Sequence, residues 1–256
     1  MARCVICGGN PRKTKFGYTK PDKYEKWAGI ENVKRLWVRC ECGFYWQLRN
    51  YPLSRLEKIY IDGYRDPGFR GEAIAEAYKR LRYIKESENE ERYFWFASRL
   101  SFKKSRKVLD IGSGVGVWPA ILKAADYEVT CVETNTDSID FIYDHLGIKC
   151  YRNLSNVGGT FDTVSLIHVL EHIEDIDGFL KAVRKKLRGY LFVEVPDSEE
   201  FELLDKDHDE FNSCHVNFFD MASLYRVLKR NGFKPFDASK VRYKSRGLTR
   251  LLMLCN

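Results

Sequence analysis

The chain has 256 residues, 44% of them hydrophobic and 31% charged, which is enough for one large domain with its own core plus an appendage. No apolar run approaches the roughly 18 residues a membrane helix needs, and the opening Met-Ala-Arg-Cys lacks the apolar stretch of a signal peptide, so a cytoplasmic protein without a membrane span is expected. The net charge of +7 is uneven: residues 1–60 carry 13 Lys/Arg against 5 Asp/Glu, and the remainder 30 against 31. Such a basic segment is either a solvated face or an attractor of phosphate, on a nucleotide-linked substrate or on nucleic acid.

Eight cysteines without an export signal argue for reduced thiols or metal rather than disulfides. Cys4-Val-Ile-Cys7-Gly8 is a C-x-x-C pair whose glycine permits a tight turn, and Cys40-Glu-Cys42-Gly43 is its natural partner. Four thiolates from Cys4, Cys7, Cys40 and Cys42 suit a tetrahedral structural zinc with no position left open for catalysis, although the second pair has a one-residue spacer where two to four are usual. The alternative is four unligated cysteines in a small core. Residues 1–60, with Tyr18, Tyr24, Trp27 and Trp37 between the pairs, form a basic module short enough to need such a staple.

Residues 51–64 read as a connector in which Ser54 is a candidate N-cap ahead of Leu56, Ile59 and Tyr60 at helical spacing. Gly63 to Gly68 is a loop, either a hinge or a flap carrying tyrosine over a pocket. Ile74, Ala77, Tyr78, Leu81 and Ile84 recur at helical spacing, placing one or two helices over 72–100. Tyr93, Phe94, Trp95 and Phe96 read as core packing. Residues 61–104 are thus a helical connector.

The stretch from Lys107 to Leu122 organises the C-terminal part of the chain. Val108, Leu109 and Ile111 make a short buried strand. Gly112, Gly114 and Gly116 come next, at every second position, and Pro119 falls in the first turn of a helix, where its missing N–H costs nothing. Such a turn lets backbone approach a ligand closely. Val117 stands where the last glycine of the dinucleotide fingerprint belongs. A second strand, 127–133, ends on Glu133, an acid placed to reach ribose hydroxyls. The pattern continues with a helix over 137–146, a strand over 148–151, then Asn153 and Leu154. Next come a strand over 162–167, a helix over 177–187, a strand over 189–196 and a helix over 223–231. Strands over 234–241 and 249–254 close the chain, joined by a turn at 244–247. Alternation of this kind implies a parallel sheet.

With Asp110 ahead of the turn, the D-x-G-x-G-x-G run answered by Glu133 resembles class I S-adenosylmethionine (SAM) methyltransferases. A nicotinamide enzyme and a non-catalytic Rossmann-like fold share parts of this pattern. The order of apolar strand, His168-Val-Leu-Glu-His-Ile173, helix, apolar strand and Val195-Pro-Asp197 carries the resemblance across residues 105–235. It implies an α/β fold over 105–256: a Rossmann-like, mostly parallel sheet with an antiparallel last strand, preceded by a packed helical element. It implies that Asp110, Gly112, Ser113 and Gly114 hold the methionine end of SAM and that Glu133 and Thr134 hold the ribose. Asn153 and Leu154 would flank the adenine, and His168 would sit at the cofactor edge. His168-Val-Leu-Glu171-His172 also matches H-x-x-E-H, a zinc-protease pattern that requires a continuous helix and a distant acid; here it straddles a strand end.

An acidic insertion, 197–220, contains His208, Asp209 and Glu210 and ends in Cys214-His215-Val-Asn-Phe-Phe219, succeeded by the helix and Asn231-Gly-Phe233. This is similar to a subgroup of sugar methyltransferases that also carry N-terminal zinc cysteines, in which the histidine lies in the substrate pocket. The C-methylating members have Y-x-E-H there. Asn212 and Cys214 replace the tyrosine and glutamate, which removes the pair suited to making a carbanion. His215 remains as a lone base suited to a hydroxyl, or as a buried structural histidine. Glu171 and His172 either assist it or hydrogen-bond the loop after them. The resemblance implies O-methylation of a small-molecule or glycan acceptor that bears phosphate: a sugar, nucleotide sugar or surface-polysaccharide precursor. The alternatives are an RNA base docked by the basic zinc module and a non-catalytic SAM-binding protein. The N/D-P-P-Y/F motif of many base N-methyltransferases is absent after the fourth strand.

Overall fold

A computed structural model describes residues 3–63, 67–100, 107–245 and 247–256. Tyr64 to Asp66 of the connector loop and Arg246 of the last turn lie outside the described residues. In chain order the elements are β1 (Lys13–Tyr18), α1 (Lys23–Trp27), β2 (Arg35–Arg39), β3 (Tyr45–Arg49), α2 (Pro67–Arg70), α3 (Ile74–Tyr83), α4 (Glu88–Arg99), β4 (Lys107–Ile111) and α5 (Val117–Ala124). The second half comprises β5 (Glu128–Val132), α6 (Thr136–Leu146), β6 (Lys149–Tyr151), β7 (Phe161–Ile167), α7 (Ile176–Arg184), β8 (Leu187–Pro196), β9 (Asn217–Phe218), α8 (Met221–Arg230), β10 (Pro235–Tyr243) and β11 (Leu248–Cys255).

The large sheet has the order β10-β11-β8-β7-β4-β5-β6. From β6 to β8 every pair is parallel, whereas β11 runs antiparallel to both β8 and β10. Central strands covered on both faces must be apolar throughout; Leu109, Val164, Leu166, Leu191, Phe192 and Val193 are accordingly fully buried. On one face α4 and α5 bring Phe96 and Trp118 against Phe192, with ring centroids 5.2 and 5.9 Å from it. Of the four aromatics at 93–96, Phe96 is fully buried while Phe94 is 70% exposed; four consecutive helical positions cannot all face one core. Helix α7 is shorter than its pattern because Leu187 already pairs with Phe161 as the first residue of β8. Gly116, at φ +81°, is the N-cap of α5. A Cβ there would lie 2.6 Å from Leu146 and 2.9 Å from Ile142, so only glycine lets α5 sit this close to α6.

The small sheet has the order β1-β2-β3-β9, all antiparallel. Its last strand comes from the far end of the chain, directly after His215. The 197–216 insertion folds across this sheet: Phe201, Phe211 and Phe218 pack with Trp37, whose ring stacks on Phe218 at 4.5 Å. The charges correspond. Lys15 meets Glu202 at 3.0 Å, Lys23 meets Asp209 at 3.2 Å and Arg39 meets Glu202 at 3.6 Å, so part of the basic excess of the first 60 residues is neutralised by this chain's own acidic insertion. The connector opens with a 3₁₀ turn at Leu53–Leu56 and a π turn at Ile59–Gly63. Pro52, not Ser54, occupies the cap position of the first turn, with no side-chain cap bond.

One charged group crosses the core. Glu194, on β8 and fully buried, accepts two hydrogen bonds from Arg92 of α4, at 2.6 and 2.5 Å, and one from the Tyr243 hydroxyl at 2.8 Å. Removing one partner of a buried ion pair strands the other charge. Arg92→Met is expected to lower unfolding stability by about 3–5 kcal/mol in urea titration, and a double Arg92→Met/Glu194→Leu variant to recover most of the loss.

Candidate functional site

The glycine turn leaves β4 at the point where the strand order reverses, with β5 on one side and β7 on the other, the place where open α/β sheets bind ligands. Gly112 adopts φ +76°, and a Cβ on it would lie 2.6 Å from Val169, so glycine is needed for the turn to pass under the 168–172 segment. Glu133 answers from the tip of β5. Its carboxylate accepts from the N–H of Gly114 at 2.7 Å, of Thr134 at 2.8 Å and of Asn135 at 3.0 Å. Three backbone donors fix a half-buried acceptor beside the turn, which suits a ribose diol. Asn153 and the half-buried Leu154 come after β6 on the same edge, where the carbonyl of Tyr151 accepts the Glu133 N–H at 3.0 Å.

Asp110 is 2% exposed. It accepts from the Ser165 hydroxyl at 2.6 Å, and Ser165 in turn accepts from the Trp118 indole at 3.2 Å. Burial pushes this carboxyl up to about 7. Asp110 thus props the turn from within the core, together with Ser113, whose hydroxyl donates to the Asp110 carbonyl at 3.1 Å.

Beyond β7 the chain turns through His168, a non-glycine residue at φ +55°. That strained backbone is held from both sides of the ring: Nδ1 lies 3.1 Å from Glu171 and Nε2 3.2 Å from Glu194. Burial alone lowers the His168 pKa, but the two carboxylates outweigh it and raise it. Burial would raise Glu171; its hydrogen bond to His168 and the neighbouring histidines instead bring it down to about 2. Leu170–His172 is a 3₁₀ turn, so the continuous helix of a zinc protease is absent from this stretch.

The same turn presents His172. Its Nδ1 lies 3.0 Å from the Cys214 carbonyl and 3.2 Å from the Tyr60 hydroxyl, which itself donates to Cys214 at 3.0 Å. Burial lowers the His172 pKa to about 4. A carbonyl only accepts, so the proton belongs on Nδ1 and the lone pair on Nε2. His215 is oriented alike, its Nδ1 2.8 Å from the Glu210 carbonyl. The two rings meet edge to face at 4.7 Å. Two backbone bonds lock the register: Val216 donates to the Glu171 carbonyl at 2.7 Å, and Gln47 to the Val216 carbonyl at 3.0 Å. His215 therefore does not stand alone. His172 and Glu171 lie beside it, and Glu210, 3.5 Å from its Nδ1, is paired with Arg250 at 3.0 Å. Asn212 accepts the N–H groups of Cys214 and His215.

The π turn at 59–63 spans the two halves of the site. Tyr60 touches His172, while the carbonyls of Tyr60 and Ile61 accept from Thr134 at 3.4 Å and Asn135 at 2.9 Å. Such turns concentrate at functional sites. Sequence reasoning missed Tyr60, Glu210, Arg92 and Glu194. Glu194 did carry a signal, being the one acid inside the apolar run Leu191–Val195.

The four N-terminal cysteines converge. One sulfur from each of Cys4, Cys7, Cys40 and Cys42 lies within 4.8 Å of the others, with Cys4–Cys42 at 3.6 Å and Cys7–Cys40 at 3.3 Å. A disulfide needs about 2.05 Å, whereas sulfurs sharing a tetrahedral ion at about 2.3 Å stand about 3.8 Å apart. Burial pushes the Cys4 thiol up to about 11 and raises Cys42 too, so thiolates there call for a cation. A cavity of about 550 Å³ lies elsewhere, between the β1–α1 edge and residues 206–212.

Sheet order, glycine turn and strand-tip acid together define a class I SAM methyltransferase. A family model described as a methyltransferase domain matches residues 85–237, more than half of the chain, and the chain belongs to that family: it is a SAM-dependent methyltransferase. No protein of curated function matches the sequence. Among solved structures it is similar to magnesium protoporphyrin IX methyltransferase from Synechocystis with bound SAH, at 16% identity and TM-score 0.58, covering 75% of this chain and 95% of that one. It is also similar to the Burkholderia thailandensis 1,6-didemethyltoxoflavin-N1-methyltransferase, at 18% identity and TM-score 0.52, covering 86% and 94%. A third is the glycopeptide N-methyltransferase MtfA, at 18% identity and TM-score 0.53, covering 68% and 91%. At such identities the likeness is one of fold. Among the described residues no helix is long and apolar enough to cross a membrane.

Because burial holds Asp110 protonated up to about pH 7 while the unfolded side chain ionises near ~3.9, this group costs stability as pH rises from about 4 to 7. Asp110→Asn keeps the acceptor for Ser165. Its melting temperature is expected to gain on the wild type across that window and to stay level with it below pH 4.

Proposed function

We propose that this enzyme transfers the methyl group of SAM to a hydroxyl of a sugar, nucleotide sugar or polysaccharide precursor that bears phosphate. The observation that carries the reading is the pair of imidazole lone pairs, on His172 and His215, that the 59–63 turn ties to the cofactor side. In this reading Asp110, Gly112, Ser113 and Gly114 shape the methionine end of the cofactor site. Glu133 and Thr134 take the ribose, Asn153 and Leu154 flank the adenine, and His168 closes the edge. SAM supplies an activated methyl on a sulfonium. The protein's work is to bring the acceptor oxygen in line with it, which positioning rewards by about 7–11 kcal/mol, and to accept a proton. His215 takes that proton at Nε2, with Glu171 and His172 beside it. The oxygen's electron pair forms the new bond to carbon, and the carbon–sulfur pair returns to sulfur.

A phosphate-bearing acceptor is supported by the cavity of about 550 Å³, whose wall includes Lys20, Lys206 and His208 beside Asp22, Asp207 and Asp209 and reaches the His215 loop at Asn212. An RNA-docking role for the basic module draws less support, since Lys15, Lys23 and Arg39 already face the chain's own acids. The module at 1–60 is read as a zinc-stapled support for the insertion at 197–220, with 61–104 as the connector to the domain at 105–256.

Two experiments test this. Glu133→Ala is expected to weaken SAM binding at least tenfold by calorimetry, whereas His215→Ala leaves SAM affinity intact and lowers turnover on phosphorylated glycans by about 10²–10⁴-fold. Unimpaired turnover of His215→Ala on such an acceptor overturns the base assignment. For the cysteine cluster, a thiol-modifying reagent is expected to release one zinc per chain, read with a colorimetric chelator, and to lower the melting temperature.

A further inference from the structure

Glu171, His172 and His215 form a second group of potential ligands, apart from the cysteines: one donor atom from each lies within 4.8 Å of the other two. We propose that these three residues hold a divalent first-row transition ion, with its open positions directed to the acceptor oxygen. The inference rests on the proposed arrival of the hydroxyl acceptor at this cluster, and it revises that proposal in one respect: the Nε2 lone pair of His215 binds the ion, so the ion, not His215 as a free base, activates the hydroxyl.

Three observations carry it. First, both rings are oriented as metal ligands are. Each commits Nδ1 to a backbone carbonyl, His172 to Cys214 at 3.0 Å and His215 to Glu210 at 2.8 Å. A ligating histidine characteristically donates its other nitrogen in this way, which fixes the tautomer and aims the free lone pair. Second, Glu171 is fully buried, and although one of its oxygens meets His168, the other has no hydrogen-bond partner among the described residues. A buried carboxylate oxygen without a donor is costly, and a cation relieves that cost. Third, the cluster is assembled from two distant segments that the Val216-to-Glu171 backbone bond clamps together, while His172 and His215 remain half-buried and so reachable by a ligand.

The chemistry of the set narrows the ion. Two imidazoles and one carboxylate favour zinc, iron, cobalt or manganese over magnesium or calcium, which prefer oxygen alone, and three protein ligands leave positions free. Donors sharing an ion at about 2.0–2.2 Å stand roughly 3–3.5 Å apart, so donors within 4.8 Å of one another have to draw in by at most about 1.3–1.8 Å. The ion polarises the acceptor hydroxyl, whose proton then leaves to water because the His215 lone pair is engaged. The hard, nitrogen-containing set also differs from the four soft sulfurs at the N-terminus, and this makes the two sites separable.

Manganese(II) is the probe, because thiolates hold it poorly. Titrated into the protein prepared with one zinc per chain, without SAM or acceptor and monitored by electron paramagnetic resonance, it is expected to bind at one ion per chain. Glu171→Gln and His215→Gln are each expected to reduce the affinity by about tenfold or more, with circular dichroism confirming that the variants are folded. A measurement on the wild type needs no variant: bound manganese is expected to broaden the imidazole resonances of His172 and His215 in NMR while that of His145, on α6, stays sharp. No bound ion, binding unchanged in folded variants, or equal broadening of His145 each overturns the proposal. Ion binding is read without turnover, so its failure is distinguishable from failure of the hydroxyl-acceptor reading, which only methylation of an acceptor tests.

Discussion

The structure turns on a carboxylate placed where an apolar side chain would ordinarily stand. Glu194 sits in a central strand with Leu191, Phe192, Val193 and Val195, all fully buried. Ionised and unpaired there, it would be prohibitive. Its neighbours make it tolerable: Arg92 from α4, Tyr243 from β10 and His168 from the turn after β7. Burial favours the neutral acid, yet Arg92 and His168 outweigh it and hold Glu194 well below the usual carboxylate range. Each contact does a separate job. Arg92 docks a helix, Tyr243 ties in an edge strand, and His168 is held at φ +55°. Hydrophobic side chains of similar volume would cost less to bury, but they would not grip an imidazole. The ion pair therefore contributes position, and the position it sets is that of the 168–172 segment.

That segment passes the constraint on. With one His168 nitrogen on Glu194, the other draws Glu171 inward, and the 3₁₀ turn at 170–172 brings His172 round to face His215. The partner ring, His215, arrives from later in the chain, on a loop that the small sheet secures by taking up β9 and by the Gln47-to-Val216 hydrogen bond. The cysteine cluster lies at the start of that sheet and of the hairpin that turns through Cys40–Phe44. The metal proposed there would act at a distance, by fixing the sheet that fixes the loop. The same logic explains the charge asymmetry. A basic module and an acidic insertion from opposite ends of the sequence find each other in space, and ion pairs at their margins add alignment more than free energy, since exposed pairs contribute little each.

How much of this was legible in the sequence varied with how local the cause was. The glycine turn, the order of strands and helices, and the antiparallel closing pair were legible because hydrophobic period and turn chemistry act over a few residues. The positions of Asp110, Gly112 and Glu133 on the sheet, as distinct from their roles, could be placed for the same reason: the fold puts strand tips in a known relation. The cysteine pairs were legible by type, despite the short spacer at Cys40-Glu-Cys42. The features that were not legible depended on contacts across the chain. Nothing in residues 1–60 announced that their sheet would be completed by Asn217 and Phe218. Nor did the helical pattern around Arg92 announce a partner about a hundred positions away. His215 looked solitary because the residues beside it, Glu171, His172 and Glu210, reach it only through tertiary packing.

The large sheet does not by itself select a chemistry. Proteins that share it at low identity are named for acceptors as unlike as a porphyrin and a glycopeptide, because the half that binds the cofactor is set by strand tips and the half that meets the acceptor by loops laid over them. In this chain the two halves are joined by a short π turn. Ile59–Gly63 offers carbonyls to Thr134 and Asn135 on the cofactor side and the Tyr60 hydroxyl to Cys214 and His172 on the other. A turn held at both ends transmits position: a shift of the Glu133 strand tip moves Tyr60, and with it the hydrogen bonds that fix the His172 tautomer. Methyl transfer requires donor and acceptor atoms to be in line and close, and errors of about 1 Å are costly. In the proposed reading, an element that ties the adenosyl side to the histidine pair is where the geometry of the reaction is set, although it touches neither reacting atom.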